Sequence, residues 1–581
     1  MRLKAQFFFF RAAHPALLIA LFACNGTPDV NQSASSAMPA AVYYNGDILT
    51  MEGDTPAYVE ALVVRDGKIQ FVGPSAEAMK VAGRGHRMVD LQGKTLLPGF
   101  IDGHSHITNY ADATVQADLS PPPMGKTLRI ADIIEALQAL KTASGVSDTA
   151  VLMGFGYDQD FLEEQRHPTA SDLDVAFPTN PVILKHASGH MLVVNTAAMK
   201  RAGISAATPD PSGGTIIRKK GSKEPEGLVQ EMAMYAFMGM ITAPATDAVE
   251  LKKMRDAQEY YARCGVTTAA EHLLLPDKMV LLDNIAAQQQ LFVDLVVTPG
   301  YTFADQLLGT GKVSWGVYNN RLKYQGIKMA VDGSPQGKTA FLSAPYHTSV
   351  PGCSHDCKGF SNMTQEEVDK LMLSCYQHGV QLYSHCNGDA SVDMMIKGHQ
   401  RAIRALGDST KDRRTVIIHS QIMRPDQMDL YKRYNLFPSF FTNHTYYWGD
   451  VHIANLGKER ASYLSPMRDA IDKGVRATNH TDCIVTPLDQ LFLLWTSVNR
   501  LSRSGVVVGA AQAITPYEGL QALTIHGAYE YFEEDSKGSL TAGKLADLVI
   551  LDKNPLKVDP KGIKDIQVVE TIKEGKTIYS R

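Results

Sequence analysis

Seven short apolar or β-branched runs punctuate the middle of the chain, and this recurrence constrains its fold more than any other feature. They are GVTTAAEHL (265–273), LFVDLVV (291–297), GIKMAVDG (326–333), GVQLYSHC (379–386), RTVIIHS (414–420), LFPSFF (436–441) and VRATNHTD (475–482). Each has the length and residue types of a buried strand. Helix-forming text lies between them, as in 364–378, where Thr364 and Glu367 stand at capping-box spacing. Alternation of this kind calls for parallel strands joined by helical crossovers. With LLPGFIDGHSH (96–106) as the first strand the count reaches eight, the number of an α/β barrel. One interval breaks the rhythm. The span of about 107–254 is much too long for a single crossover and is expected to hold an inserted subdomain, a lid or substrate wall.

The two ends of the chain share another style. AVYYNGDILTM, YVEALVVRDGKIQFVG and RMVDLQGKTLLPG near the start, and GSLTAGKLADLVILDKNP and VVETIKEGKTIY near the end, are short strands separated by turns. Asn45-Gly46 and Asp66-Gly67 mark hairpins, because both central residues of that turn need positive φ. Neither end is long enough to bury both of its faces, so 41–95 and 530–581 are expected to pair into one accessory β-sandwich. The barrel then occupies 96–529.

The 57 basic and 61 acidic residues among 581 leave a formal charge of -4, with no concentrated basic tract, so a nucleic-acid partner is not expected. Seven cysteines are too few for a disulfide scaffold. Arg2 and Lys4 followed by the apolar run 16–23 predict a signal peptide over 1–23. Leu21-Phe22-Ala23-Cys24 resembles a bacterial lipoprotein box, apart from Phe22, and would make Cys24 a lipidation site followed by a flexible tether over 24–40. The expected location is the periplasm or cell envelope, with a lipid anchor as the only contact with a membrane. The other reading is a cleaved signal without an anchor.

His104 and His106 lie two apart at the end of the first strand, so both imidazoles project from one face and can reach one cation. Lys328 sits in an apolar strand, where an unpartnered ammonium is costly. His385, His419 and Asp482 end three later strands. His480 shares parity with Asp482. Cys353-Ser354-His355-Asp356-Cys357 is either a metal loop or, more simply in an exported chain, a loop disulfide.

The segment ending in LPGFIDGHSH, and GSLTAGKLADLVILD near the C-terminus, resemble the opening and closing signatures of the amidohydrolase superfamily. The chain is most similar to the branch containing N-substituted formamide deformylases, over roughly 41–580. The resemblance implies a distorted (β/α)8 TIM barrel carrying metal at the C-terminal ends of its strands. Its ligands would be His104, His106, Lys328, His385, His419 and Asp482, with two divalent ions, zinc by expectation, bridged by a carbon dioxide-derived carboxylated Lys328. Asp482 would be the catalytic proton shuttle. His190, in a Gly-His segment of the insertion, and His444 and His480 would adjoin the substrate, and Asp389 would orient His385. The implied reaction is hydrolysis of an amide-type C–N bond other than a peptide bond in a small N-acyl, N-formyl or cyclic amide, by a cation-activated water. A mononuclear aminohydrolase or deaminase and a non-catalytic surface binding lipoprotein are the alternatives.

Overall fold

The computed structural model describes residues 39–122, 124–241, 246–350 and 353–581. The expected signal segment, most of the tether and Cys24 lie outside the described residues.

Eight strands follow one another in the order the sequence suggests. Phe100–Ile101 pairs in parallel with Val266–Leu274, which pairs in parallel with Asp294–Pro299. A second parallel series runs Gly326–Ala330, Gln381–Cys386, Val416–His419, Phe437–Phe440 and Thr478–Asn479. These form two five-stranded sheets, the first completed by Tyr318–Asn319 and Leu322–Tyr324. A bridge between Gly300 and Lys328 joins them at one seam. At the other, the Asp482 N–H donates to the His104 carbonyl (3.2 Å) and the His106 N–H to the Cys483 carbonyl (2.8 Å). Amphipathic helices cover the strands. In Gln365–Gln377 the capping box of Thr364 and Glu367 forms as its spacing predicts, and Val368, Met372, Cys375 and Tyr376 face the core.

The two chain ends meet, and their pairing makes one hydrogen-bonded sheet of eight strands. Leu548–Leu551 links them, antiparallel to Thr95–Pro98 on one side and to Val568–Lys573 on the other. The sheet curls, because the Ala546 N–H donates to the Gly67 carbonyl (2.8 Å) and the Gly575 N–H to the Ala546 carbonyl (2.9 Å). Ile48, Leu62, Ile69, Leu96, Leu548, Ile550 and Ile572 fill the hollow. Burial of this apolar set is what holds the two termini together.

Residues 117–231 contain a further six-stranded sheet, in the order Gly214–Arg218, Pro225–Glu231, Met191–Val194, Val182–His186, Leu152–Tyr157, Ala117–Asp118. It has its own apolar layers, one around Leu119, Leu137, Leu184 and Val193 and the other around Ile183, Val194, Val229 and Phe237. Among the described residues no helix is long and apolar enough to cross a membrane.

Candidate metal centre

Five of the six expected ligands come from the C-terminal ends of the central strands or the residues that follow them, and their side chains converge. His104 Nε2 lies 3.2 Å and His106 Nε2 3.4 Å from the same oxygen, Oδ1 of Asp482. His385 Nδ1 lies 3.0 Å from His419 Nε2, which in turn is 3.9 Å from Asp482 Oδ2. Asp482 therefore touches both pairs of imidazoles. Lys328, on the strand between, is 2% exposed, and its charge acts on His104, His272 and His385. The first strand can lie this close because of Gly103: a Cβ there would sit 2.8 Å from Thr478 Oγ1 and 2.9 Å from Glu530 Oε2. His419 and Asp482 hold the left-handed backbone, at φ +72° and +51°, which costs energy in non-glycine residues and is found where function fixes a side chain.

The electrostatics suit a bound cation. His104 Nδ1, Lys328 Nζ and His272 Nε2 are buried polar atoms without a hydrogen-bond partner among the described residues. Such atoms are expensive unless a partner completes them. Burial depresses the lysine to about 7, against the opposing pull of Asp482, so its neutral amine is accessible near neutrality. Burial also holds His104, His385 and His419 well below the ordinary imidazole range, which keeps each ring neutral, with one nitrogen free of a proton and able to act as a ligand. His106 differs. Burial opposes its charge, but hydrogen bonding to Asp482 and Glu271 raises it to about 9. Asp482 is well below the ordinary carboxylate range, because the neighbouring histidines outweigh its burial. His104, His106 and Asp482 form one set able to hold a cation, and His419, His480 and Asp482 another. Nitrogen and carboxylate donors of this kind suit zinc and its first-row neighbours.

Some expectations change. His480 faces the other nitrogen of His419: its Nε2 lies 3.0 Å from His419 Nδ1, and its Nδ1 is 2.9 Å from Ser439 Oγ. It braces the ligand from behind and does not line the substrate cavity. The chain of bonds continues from Ser439 through Thr478 Oγ1 (2.9 Å) to Glu530 Oε2 (2.6 Å). His444 also points away from the cavity, bonded to His452 (2.9 Å) and packed on Phe441 and Trp448. Asp389 does not reach His385, since it accepts from the Ser343 N–H and from Arg424. Asn387 takes that place, with Nδ2 2.9 Å from His385 Nε2. His190 stays in the pocket. Its ring centroid is 4.8 Å from that of His385, and its Nδ1 is 2.9 Å from Glu231 Oε2.

Sequence reasoning passed over Glu271 and His272, adjacent at the end of the second strand. Glu271 accepts from the Thr108 N–H (2.6 Å) and lies 3.5 Å from His106 Nδ1, and Thr298 Oγ1 is 2.9 Å from His272 Nδ1. Two ionisable residues closing an apolar strand were the available signal. The six-stranded sheet supplies Lys185, His186, His190 and Leu192 to a cavity of about 330 Å³ whose floor is His104, His106, Lys328 and Asp482. Cys353 and Cys357 form a disulfide, as the loop spacing suggests.

Parallel strands in an α/β fold, with imidazoles and a carboxylate gathered at their C-terminal ends, define the class of metal-dependent α/β hydrolases. The model of the amidohydrolase family matches residues 87–579, and the chain belongs to that family. It is 26% identical over 550 residues to the N-substituted formamide deformylase of Arthrobacter pascens, covering 92% of this chain and 98% of that one. It is 27% identical over 553 residues to the Protein LONG AFTER FAR-RED 3 of Arabidopsis thaliana, covering 92% and 91%. Among solved structures, an uncharacterized metal-dependent hydrolase from Pyrococcus horikoshii superposes with a TM-score of 0.71 at 23% identity, over 90% of this chain and 99% of that one.

Proposed function

We propose that the protein is a metal-dependent hydrolase of small amides, cleaving a C–N bond other than a peptide bond in an N-acyl, N-formyl or cyclic amide. The observation that carries this reading is the convergence of both imidazole pairs on Asp482, with Lys328 unpartnered between them. His104, His106 and Asp482 would hold one divalent ion; His385, His419 and a carboxylated Lys328 would hold the second. Zinc is the ion we assign. When bound, the ions supply Lewis acidity and an activated water at neutral pH. Asp482 accepts the proton of the attacking water and returns it to the departing nitrogen. His190, raised by Glu231 against the effect of burial, carries a proton beside His385 and can donate it towards the substrate oxygen. Ser439 and His480 fix the ring of His419, an outer-shell role that ligating imidazoles usually require. The 26% identity to a formamide deformylase along almost the whole length of both chains supports the amide class.

We read the two five-stranded arcs as halves of a distorted (β/α)8 barrel over 96–529, with the insertion at about 107–254, and the curled terminal sheet as the accessory sandwich. We further propose export to the periplasm or cell envelope, with Cys24 as the acylated anchor after removal of 1–23. The Cys353–Cys357 disulfide is in keeping with an oxidising compartment. Metal content per chain, measured for wild type and Lys328→Ala, tests the centre. Two ions falling to one supports it; a single ion unaffected by the substitution favours a mononuclear aminohydrolase. Absence of metal-restored turnover after chelation, against amides, formamides and esters, would remove the enzymatic reading.

A further inference from the structure

The wall of the cavity carries a cation, Lys185, that forms no ion pair among the described residues and has only the longer-range attraction of Asp112 to offset its burial. Lys185 lies on Val182–His186, paired across the sheet with Phe155 on one side and Leu192 on the other. Directly opposed residues of neighbouring strands share a face, so the lysine emerges between two apolar side chains, and all three line the cavity above His104, His106 and Lys328. Among the described residues Lys185 has no hydrogen bond or ion pair. The nearby acids are already engaged. Asp112 takes Lys253 (2.6 Å) and Lys278 (3.0 Å), and Glu250 takes Lys253 (2.7 Å). Three lysines thus face two carboxylates, and the surplus charge sits at the cavity wall. A half-buried ammonium among apolar groups is costly unless a ligand completes it. Met232, Met234, Tyr235 and Ile241 extend the wall as an apolar, adaptable surface beside it.

We propose that Lys185 is the specificity residue of this pocket and that the amide hydrolysed there carries a carboxylate, bound by Lys185, together with an apolar group lying on the methionine wall. This rests on the reading of the cavity as the hydrolase's substrate pocket. The experiment uses zinc-loaded enzyme and matched pairs, N-formyl-, N-acetyl- and N-octanoylglycine against the corresponding glycinamides, with binding of octanoate and octanamide followed by calorimetry. Wild type is expected to favour the carboxylate member of a pair. Lys185→Met should lower that member's kcat/KM about tenfold to hundredfold, mainly through KM, as expected for loss of a charged hydrogen bond, and lower that of the amide member far less. Lys185→Arg should restore most of the preference. No preference in wild type, or an equal loss for both members in Lys185→Met, overturns the inference. Turnover that is present while octanoate binds Lys185→Met as well as wild type overturns it alone. If no pair is hydrolysed but Lys185→Met weakens octanoate selectively by the same factor, the anion site stands and the amide-hydrolase reading falls.

Discussion

Replacing Lys328 by methionine should make the metal-free protein more stable while destroying its metal centre. The lysine is buried, and its amine meets no partner among the described residues. Burial lowers it from an ordinary value near 10.5 to about 7. Between those limits the unfolded chain binds the proton and the folded chain does not, so wild-type stability rises with pH across this window. At about 1.4 kcal/mol per pH unit the full span is worth roughly 4–5 kcal/mol, an upper bound because the surroundings relax around a charge. Methionine has similar length and no charge, so its advantage over lysine should be roughly 4 kcal/mol at pH 7 and under about 1 kcal/mol at pH 10. Urea denaturation of chelator-stripped wild type and Lys328→Met at the two pH values measures that gap. A gap of the same size at both values would refute the assignment of a buried, proton-shedding lysine. Metal analysis of the same variant should show the opposite sign, with loss of bound ion.

Asp482→Asn keeps the shape but removes the charge shared by both imidazole pairs; it should lower kcat by about 10²-fold or more and reduce metal content, read by turnover and elemental analysis. His480→Phe breaks the 3.0 Å contact to His419 and removes a donor from the His419, His480 and Asp482 set, so metal affinity should fall about tenfold to hundredfold in a chelator competition. Metal uptake should strengthen as pH rises towards about 9, because His106 in the metal-free protein must first release its proton; a pH-independent association constant over 6–9 would contradict this. Asp294→Ala removes the carboxylate that Lys537 (2.6 Å), Lys573 (2.9 Å) and Arg321 (3.0 Å) share, leaving each its other acid, Glu533, Asp547 or Glu574, and should cost about 3 kcal/mol in urea denaturation, with metal content per folded chain unchanged.

The central parallel strands were legible because each is a compact apolar run, and several of those runs end in a candidate site residue. RTVIIHS reads as a buried strand closing on a histidine, and Val416–His419 is that strand. The convergence of the candidate ligands followed, since a strand end is both a sequence landmark and a place in space. The insertion was not legible to the same degree. Its sheet pairs Pro225–Glu231 with Met191–Val194 across more than thirty residues, an order that local periodicity does not encode. Lys185 and Glu231 therefore reached the cavity unannounced. His444 shows the converse error, a histidine in the expected place whose side chain turns into a cluster of His452, Phe441 and Trp448. Position along a strand sets the face, but only packing decides what that face meets.

The groups that make the site reactive are the ones that weaken the fold. Positive φ at His419 and Asp482, an orphan ammonium at Lys328 and depressed imidazoles all cost folding energy in the metal-free chain. Compensation comes from elsewhere. Lys537 and Lys573 from the C-terminal segment lock onto Asp294 of the third central strand, while the terminal strands bury a shared apolar core. The terminal sheet is thereby coupled to the strands that present the ligands. Bound metal would relieve the strain from the opposite end, since it binds the folded chain far better than the unfolded one. Stabilisation by metal should accordingly grow as pH rises from about 7 towards about 9, as Lys328 and then His106 give up the protons that compete with it.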